Sequence, residues 1–139
     1  MNRGYDYIDE GRRYLQTAKN GRERTSVFNN QVTYNLIGLS VEKLLVGLSM
    51  HLGHLPADHT LAGIVAEVNR FCPMENDLAE AVRRIDQVQD MCSLDISAFR
   101  AISDGQIDHM LKINESVRAF VECHLDPTPA FYGRKEREL

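Results

Sequence analysis

A chain of 139 residues that is 43% apolar and 26% charged has the composition of one folded domain, not of a disordered segment. Its formal charge is −4, with a basic lean in residues 1–26 and an acidic lean in 54–110, which argues against a generally basic nucleic-acid binder. The N-terminal MNRGYDYIDEGRRY lacks an apolar signal-peptide core, and Asn35, Ser40, Glu42, Lys43, Ser49 and His51 interrupt the longest apolar run, so a cytoplasmic protein without a membrane span is expected.

Tyr7, Ile8, Gly11, Tyr14, Leu15 and Ala18 recur at helical spacing and predict a first helix over residues 5–19. Asn20-Gly21 reads as its stop, with RERTS as a polar connection. A second helix is predicted from near Val27 to Leu52, with Gly53 at the position after its C-cap and Pro56 forbidding continuation. Asp58 or Thr60 is expected to cap a third helix with the stripe Leu61, Ile64, Val65, Val68 and Phe71, broken at Cys72-Pro73. Asn76 or Asp77 is expected to cap a fourth, with Leu78, Ala81, Val82, Ile85, Val88 and Cys92 on one face. The less periodic SLDISAFRAISDG predicts a loop with a short helical turn. Asp104 is expected to cap a fifth helix that buries Ile107, Met110, Leu111, Val117, Phe120, Val121 and His124 or Leu125, and Asp126-Pro127-Thr128-Pro129 ends it. The ordered core is expected over 5–127 and a frayed tail over 128–139. The fold class expected is all-α: an antiparallel up-and-down bundle of four long helices with a shorter fifth.

The chain is organised around Asn35–Gly53. Leu36, Ile37, Leu39, Val41, Leu44, Leu45, Val46, Leu48, Met50 and Leu52 cover nearly every side of a helix, which therefore belongs in a core or partly in a subunit interface. Glu42 and Lys43 sit inside this run. A carboxylate there needs partners, for which Asn114 and the hydroxyls of Tyr5, Tyr7 and Tyr14 are candidates, or it must reach solvent at a seam of the bundle. Lys43 is expected to snorkel outward, where it is a phosphate-contact candidate. Gly38 and Gly47 permit the close approach of a second backbone, from within the chain or from a two-fold mate.

His51, His54 and His59 are spaced as His-x2-His-x4-His, but no Cys or carboxylate cluster completes a metal set, and the expectation is no metal and no cofactor. No Glu-x-x-His, Walker phosphate loop, Gly-x-Ser-x-Gly or Cys-x-x-Cys occurs. Cys72, Cys92 and Cys123 are odd in number and far apart, and are expected as reduced core thiols.

The order of elements, with Glu42-Lys43-Leu44-Leu45 on the long helix, then Gly53, Pro56 and His59-Thr60-Leu61, resembles the HEPN family (higher eukaryotes and prokaryotes nucleotide-binding domain) over roughly residues 5–70. The resemblance implies a helical bundle that dimerises. It also implies a nucleotide or RNA ligand, with Glu42, Lys43, His59 and Asn114 as the candidate binding residues. Some members are metal-independent ribonucleases with an Arg-x4–6-His motif, including toxins paired with a nucleotidyltransferase or an antitoxin. Others lack the motif and act as binding modules. Arg118 and His124, in RAFVECH, are the match here, and as catalytic residues His124 would move protons while Arg118 opposed phosphate charge. Six helical steps of about 100° set the two roughly 120° apart around one helix. The reading of the sequence is thus a homodimeric HEPN-like binding module. A metal-independent ribonuclease using Arg118 and His124 is the alternative, and a purely structural helical dimer is the third class.

Overall fold

The computed structural model describes residues 3–23, 29–93 and 102–125, with 88–93 described by their backbone alone. These residues form α1 (Arg3–Glu23), α2 (Asn30–His51), α3 (Leu61–Phe71), α4 (Asn76–Ser93) and α5 (Asp104–Leu125), with no strand among them. The fold is all-α, as expected, but the expected strict up-and-down alternation is not kept: α2 and α5 run parallel and α1 runs antiparallel to α5, because Asn30 is tied to the start of α5 and Arg12 to its end. The expected connection over 94–101 and the tail over 128–139 lie outside the described residues.

Local chemistry sets the helix ends. Asn29 is extended and its side chain accepts the Val32 N–H at 2.8 Å, which starts α2 later than the periodicity suggested. At the other end Gly53 has φ 87°, its N–H donates to Met50 O, and the His54 N–H donates to Ser49 O at 2.9 Å. This paired closure satisfies the last carbonyls and needs a residue tolerant of positive φ. Thr60 caps α3 through the Gly63 N–H, while Asp58 accepts the Thr60 N–H at 2.8 Å, a bond that pulls the Asp58 pKa down. Asp86 on α4 also accepts the Leu61 N–H at 2.7 Å, so a second carboxylate meets the positive end of α3.

Three further expected boundaries are corrected. α1 continues through Asn20-Gly21 because Gly21 is buried and Arg22 is held by Asp104 and Asp108 of α5. α4 is preceded by Glu75, whose carbonyl accepts the Ala79 N–H, so Asn76 and Asp77 lie inside the first turn. α5 is capped by Ser103, not Asp104. Ser103 Oγ accepts the Gln106 N–H at 3.1 Å and Gln106 Oε1 accepts the Ser103 N–H at 2.9 Å, a reciprocal capping box.

Paired residues give the topology. α1 is antiparallel to α2, with Gly11 beside Leu44 and Gly4 beside Gly47. α1 is also antiparallel to α5, with Arg12 against Glu122 and Arg22 against Asp108. α2 and α5 run parallel: Asn30 donates to Ile102 O and Asp104, and Asn114 donates to Ser40 further along. The short α3 rises beside α2, ending where Phe71 stacks on His54, and α4 returns past Leu61 to Asp86. α2 is the helix that touches all four others.

The core is built on this rod. Ile37, Val41, Leu44, Leu45 and Leu48 are fully buried with Ile8, Ile64, Val65, Val82, Ile107, Val117 and Val121. A Cβ on Gly47 would lie 2.7 Å from Gly4 O and 2.7 Å from Ile8 Cγ1, so α1 and α2 approach backbone to backbone there. Gly38 is different, because a Cβ there meets nothing within 4 Å. One polar chain crosses the core. Asn114 Nδ2 donates to Ser40 Oγ at 3.0 Å and Ser40 Oγ donates to Gly11 O at 2.7 Å, tying α5 to α2 to α1.

Gly47→Ala therefore has two opposed effects. Helix propensity gains about 1 kcal/mol, while overpacking against an immovable carbonyl costs about 1–3 kcal/mol. Urea unfolding followed by circular dichroism should show a net loss of stability, and a more stable Gly47→Ala would contradict the packing described.

Candidate functional site

The residues singled out by sequence fall at separate places. Arg118 lies on the face of α5 turned to α1. Its Nε donates to Glu115 at 2.7 Å and its Nη1 to Glu122 at 2.8 Å. Glu122 also accepts from Arg12, which bonds Asp9 at 2.9 Å, and Glu115 accepts from Lys19. Asp9, Arg12, Glu122, Arg118, Glu115 and Lys19 so form one ladder of alternating charge along the α1–α5 seam, and Arg22 with Asp108 continues it. Two carboxylates hold the Arg118 pKa above its ordinary value, Glu115 first. Lys19 and then Arg118 hold the Glu115 carboxyl below its own.

His124 points elsewhere. Its Nδ1–H donates to Phe120 O at 2.8 Å and its ring packs on the Phe120 ring at 4.5 Å. No hydrogen bond joins His124 to Arg118 among the described residues. The angular offset of the pair on one helix is thus kept, with one side chain on the α1 seam and the other folded back on its own helix.

Glu42 and Lys43 diverge likewise. Lys43 pairs with Glu10 at 3.1 Å and its ammonium lies 4.3 Å from the Tyr7 ring centre, which raises its pKa, chiefly through Glu10. Glu42 is on the other side of α2, half-buried in a groove of about 350 Å³ with Tyr34, Asn35, Gly38, Leu39 and Ile85. The expected partners lie elsewhere: Asn114 donates to Ser40, Tyr7 lies under the Lys43 ammonium and Tyr5 packs on His51, and Glu42 is joined to none of Asn114, Tyr5, Tyr7 or Tyr14 by a hydrogen bond. Glu42 is a seam carboxylate. Asn114 is fully buried, and its Oδ1 has no hydrogen-bond partner among the described residues. His59 is exposed beside Asp58. These four residues do not converge.

His51 and His54 serve the end of α2. His51 meets Tyr5 edge-on at 5.1 Å and His54 stacks on Phe71 at 3.7 Å. Among the described residues no group of three His, Cys, Asp or Glu is placed to hold a metal ion. Cys72 is a buried free thiol whose pKa burial raises, while Cys123 is exposed, against the expected core position. The Cys92 side chain lies outside the described residues.

A larger groove, about 430 Å³, opens between α4 and α5. Ile85, Met110 and Ile113 form its apolar floor, and Arg84, His109, Asp77 and Glu80 stand at its rim. It was not found from sequence, because it needs the relative placement of two helices. The two partners of Arg118, by contrast, stand three residues before it and four after it in sequence, a spacing that marks them as its helical neighbours.

The charge ladder has a sign that can be tested. Depressed folded-state pKa values at Glu115 and Asp108 give stability that is present above the ordinary carboxylate range and is lost as pH falls through the folded values. Glu115→Gln should therefore be less stable than wild type at pH 7, by about 1 kcal/mol at most for so exposed a network. That difference should shrink steadily as pH falls below the ordinary carboxylate range and should also shrink in high salt. Thermal melts of both proteins across pH measure it, and a difference unchanged in acid would refute the ladder.

No family model matches the chain, and no curated protein matches it. Its fold is similar to the crystal structure of TT1696 from Thermus thermophilus, with a TM-score of 0.74 at 20% identity over 90% of this chain and 100% of that one. Likeness at that identity concerns the fold.

Proposed function

We propose that this chain is a non-catalytic, HEPN-like binding module that acts as a homodimer and takes a nucleotide or a short RNA as ligand. One observation supports it over a ribonuclease: Arg118 commits its guanidinium to Glu115 and Glu122. A phosphate approaching Arg118 would meet those two carboxylates first, and both charge-assisted hydrogen bonds would have to be given up. A catalytic Arg needs the opposite, an open fork aimed at developing negative charge.

The ligand reading has its best-formed place in the α4–α5 groove. Its volume is within the range of small-molecule sites. The floor of Ile85, Met110 and Ile113 suits the face of a base, and His109 and Arg84, whose Nε lies 3.6 Å from Glu80 without a hydrogen bond to it, offer hydrogen bonds to a phosphate. Asp77 and Glu80 on the same rim favour a mononucleotide or a strand end over a long polyanion.

Mononucleotides titrated into the full chain by calorimetry should bind, and Arg84→Glu should weaken them at least about tenfold. RNA incubated with the protein in EDTA should stay intact. Cleavage in EDTA that disappears in both Arg118→Ala and His124→Ala would overturn the non-catalytic reading. An absence of heat up to millimolar nucleotide would overturn the ligand.

A further inference from the structure

The outer face of α2 carries features that the described residues of the chain leave unused. Val32, Asn35, Leu39 and Glu42 recur at spacings of three and four, one stripe along the helix. Val32 is 41% and Leu39 40% exposed, although both belong to the most buried helix of the bundle. Gly38 sits in this stripe with open space where a Cβ would project. A mid-helix glycine costs about 1 kcal/mol relative to alanine, and here, unlike at Gly47, nothing within the described chain requires it.

The polar groups of the stripe are half-used. Asn35 Oδ1 accepts from Gln31 Nε2 at 3.2 Å, and no described residue accepts from the Asn35 amide nitrogen. Glu42 has neither hydrogen bond nor ion pair to a described residue. A spare donor and a spare acceptor thus lie on one face, seven residues apart and too far along the helix to meet each other.

Their positions are self-complementary. Asn35 stands three residues before Gly38, and Glu42 three residues after Leu39. When two identical helices cross antiparallel about a two-fold axis, residues equally displaced on either side of the axis face each other, and each contact occurs twice. We infer that a second copy of this chain docks antiparallel along the outer face of α2, about an axis between Gly38 and Leu39. The amide of Asn35 in each copy then donates to Glu42 of the other, and each Leu39 enters the hollow over the other's Gly38. This rests on the homodimeric reading above and gives that dimer its surface. The second copy fits better than an unrelated partner because the face supplies its own complement, knob with hollow and donor with acceptor, in the required symmetric order.

Sedimentation equilibrium on the full chain tests it. The wild type should be a dimer at micromolar concentration. Asn35→Glu places a carboxylate opposite Glu42 of the second copy and should weaken the dimer at least about 100-fold. Adding Glu42→Lys should restore it to within about tenfold of wild type, since the new Lys faces the new Glu only across the axis. Gly38→Leu fills the hollow and should weaken the dimer at least about tenfold while circular dichroism shows an intact helical fold. A monomer at every concentration would hand this face to another occupant and overturn the inference. A dimer indifferent to Asn35→Glu and Gly38→Leu would overturn this surface but leave a homodimeric module. Failure to bind nucleotide would strike the ligand reading alone.

Discussion

The structure depends on burying the second half of α2 from all directions at once. Leu44 through Ser49 are buried in unbroken succession, so no face of the helix is left for water along that stretch. Side chains alone would hold α1 at an ordinary interhelical distance. Gly47 removes that spacing on one side and lets the α1 backbone in at Gly4, while Gly11 makes room for Leu44 in the other direction. The two helices interlock by reciprocal small and large residues, and along residues 44–49 the remaining sides of α2 are closed by its other neighbours.

A core of aliphatic side chains fixes position along and around a helix poorly. The Asn114–Ser40–Gly11 chain supplies what is missing, because its hydrogen bonds form at one rotation and one height of α5. It carries a penalty, since Asn114 Oδ1 is buried without a donor among the described residues. An unmet buried acceptor costs about 1–3 kcal/mol. The rotation so fixed also turns Glu115, Arg118 and Glu122 onto α1, where Lys19 and Arg12 meet them. The surface ladder is thus a consequence of the buried polar contact as much as of its own charges, which are too exposed to set helix orientation by themselves.

Most of the fold was legible because it rests on local signals. Gly53 with Pro56, the Thr60 cap and the Cys72-Pro73 break each act within a few residues, and the structure places them as read, while the apolar run of α2 is buried on every side from Leu44 to Ser49 and leaves Leu39 and Leu52 exposed. The signals that failed were local ones overruled by distant contacts. Asn20-Gly21 is a stop only for a helix with nothing beyond it, and here Arg22 is fastened to α5. Gly38 and Gly47 are alike in sequence, and only the position of α1 tells them apart. The candidate site was less legible for the same reason. Glu42, Lys43, His59 and Asn114 are distributed over two sides of α2, an exposed turn and the centre of the core, a dispersal that no spacing in the chain encodes.

The position of the α2 surface bears on chemistry. Its groove runs toward α4 at Ile85, whereas the Arg118 ladder faces α1. A two-fold axis through the Gly38–Leu39 face would bring two α2–α4 sides together and leave both α1–α5 seams outside. A composite nuclease cleft needs the axis at the end of α5, and a dimer through α2 does not provide one. The same axis leaves the α4–α5 groove on the flank of each copy, where its rim of Arg84 and His109 stays open to a ligand. Pairing through α2 and binding in that groove are therefore compatible, while pairing through α2 and catalysis across the axis are not.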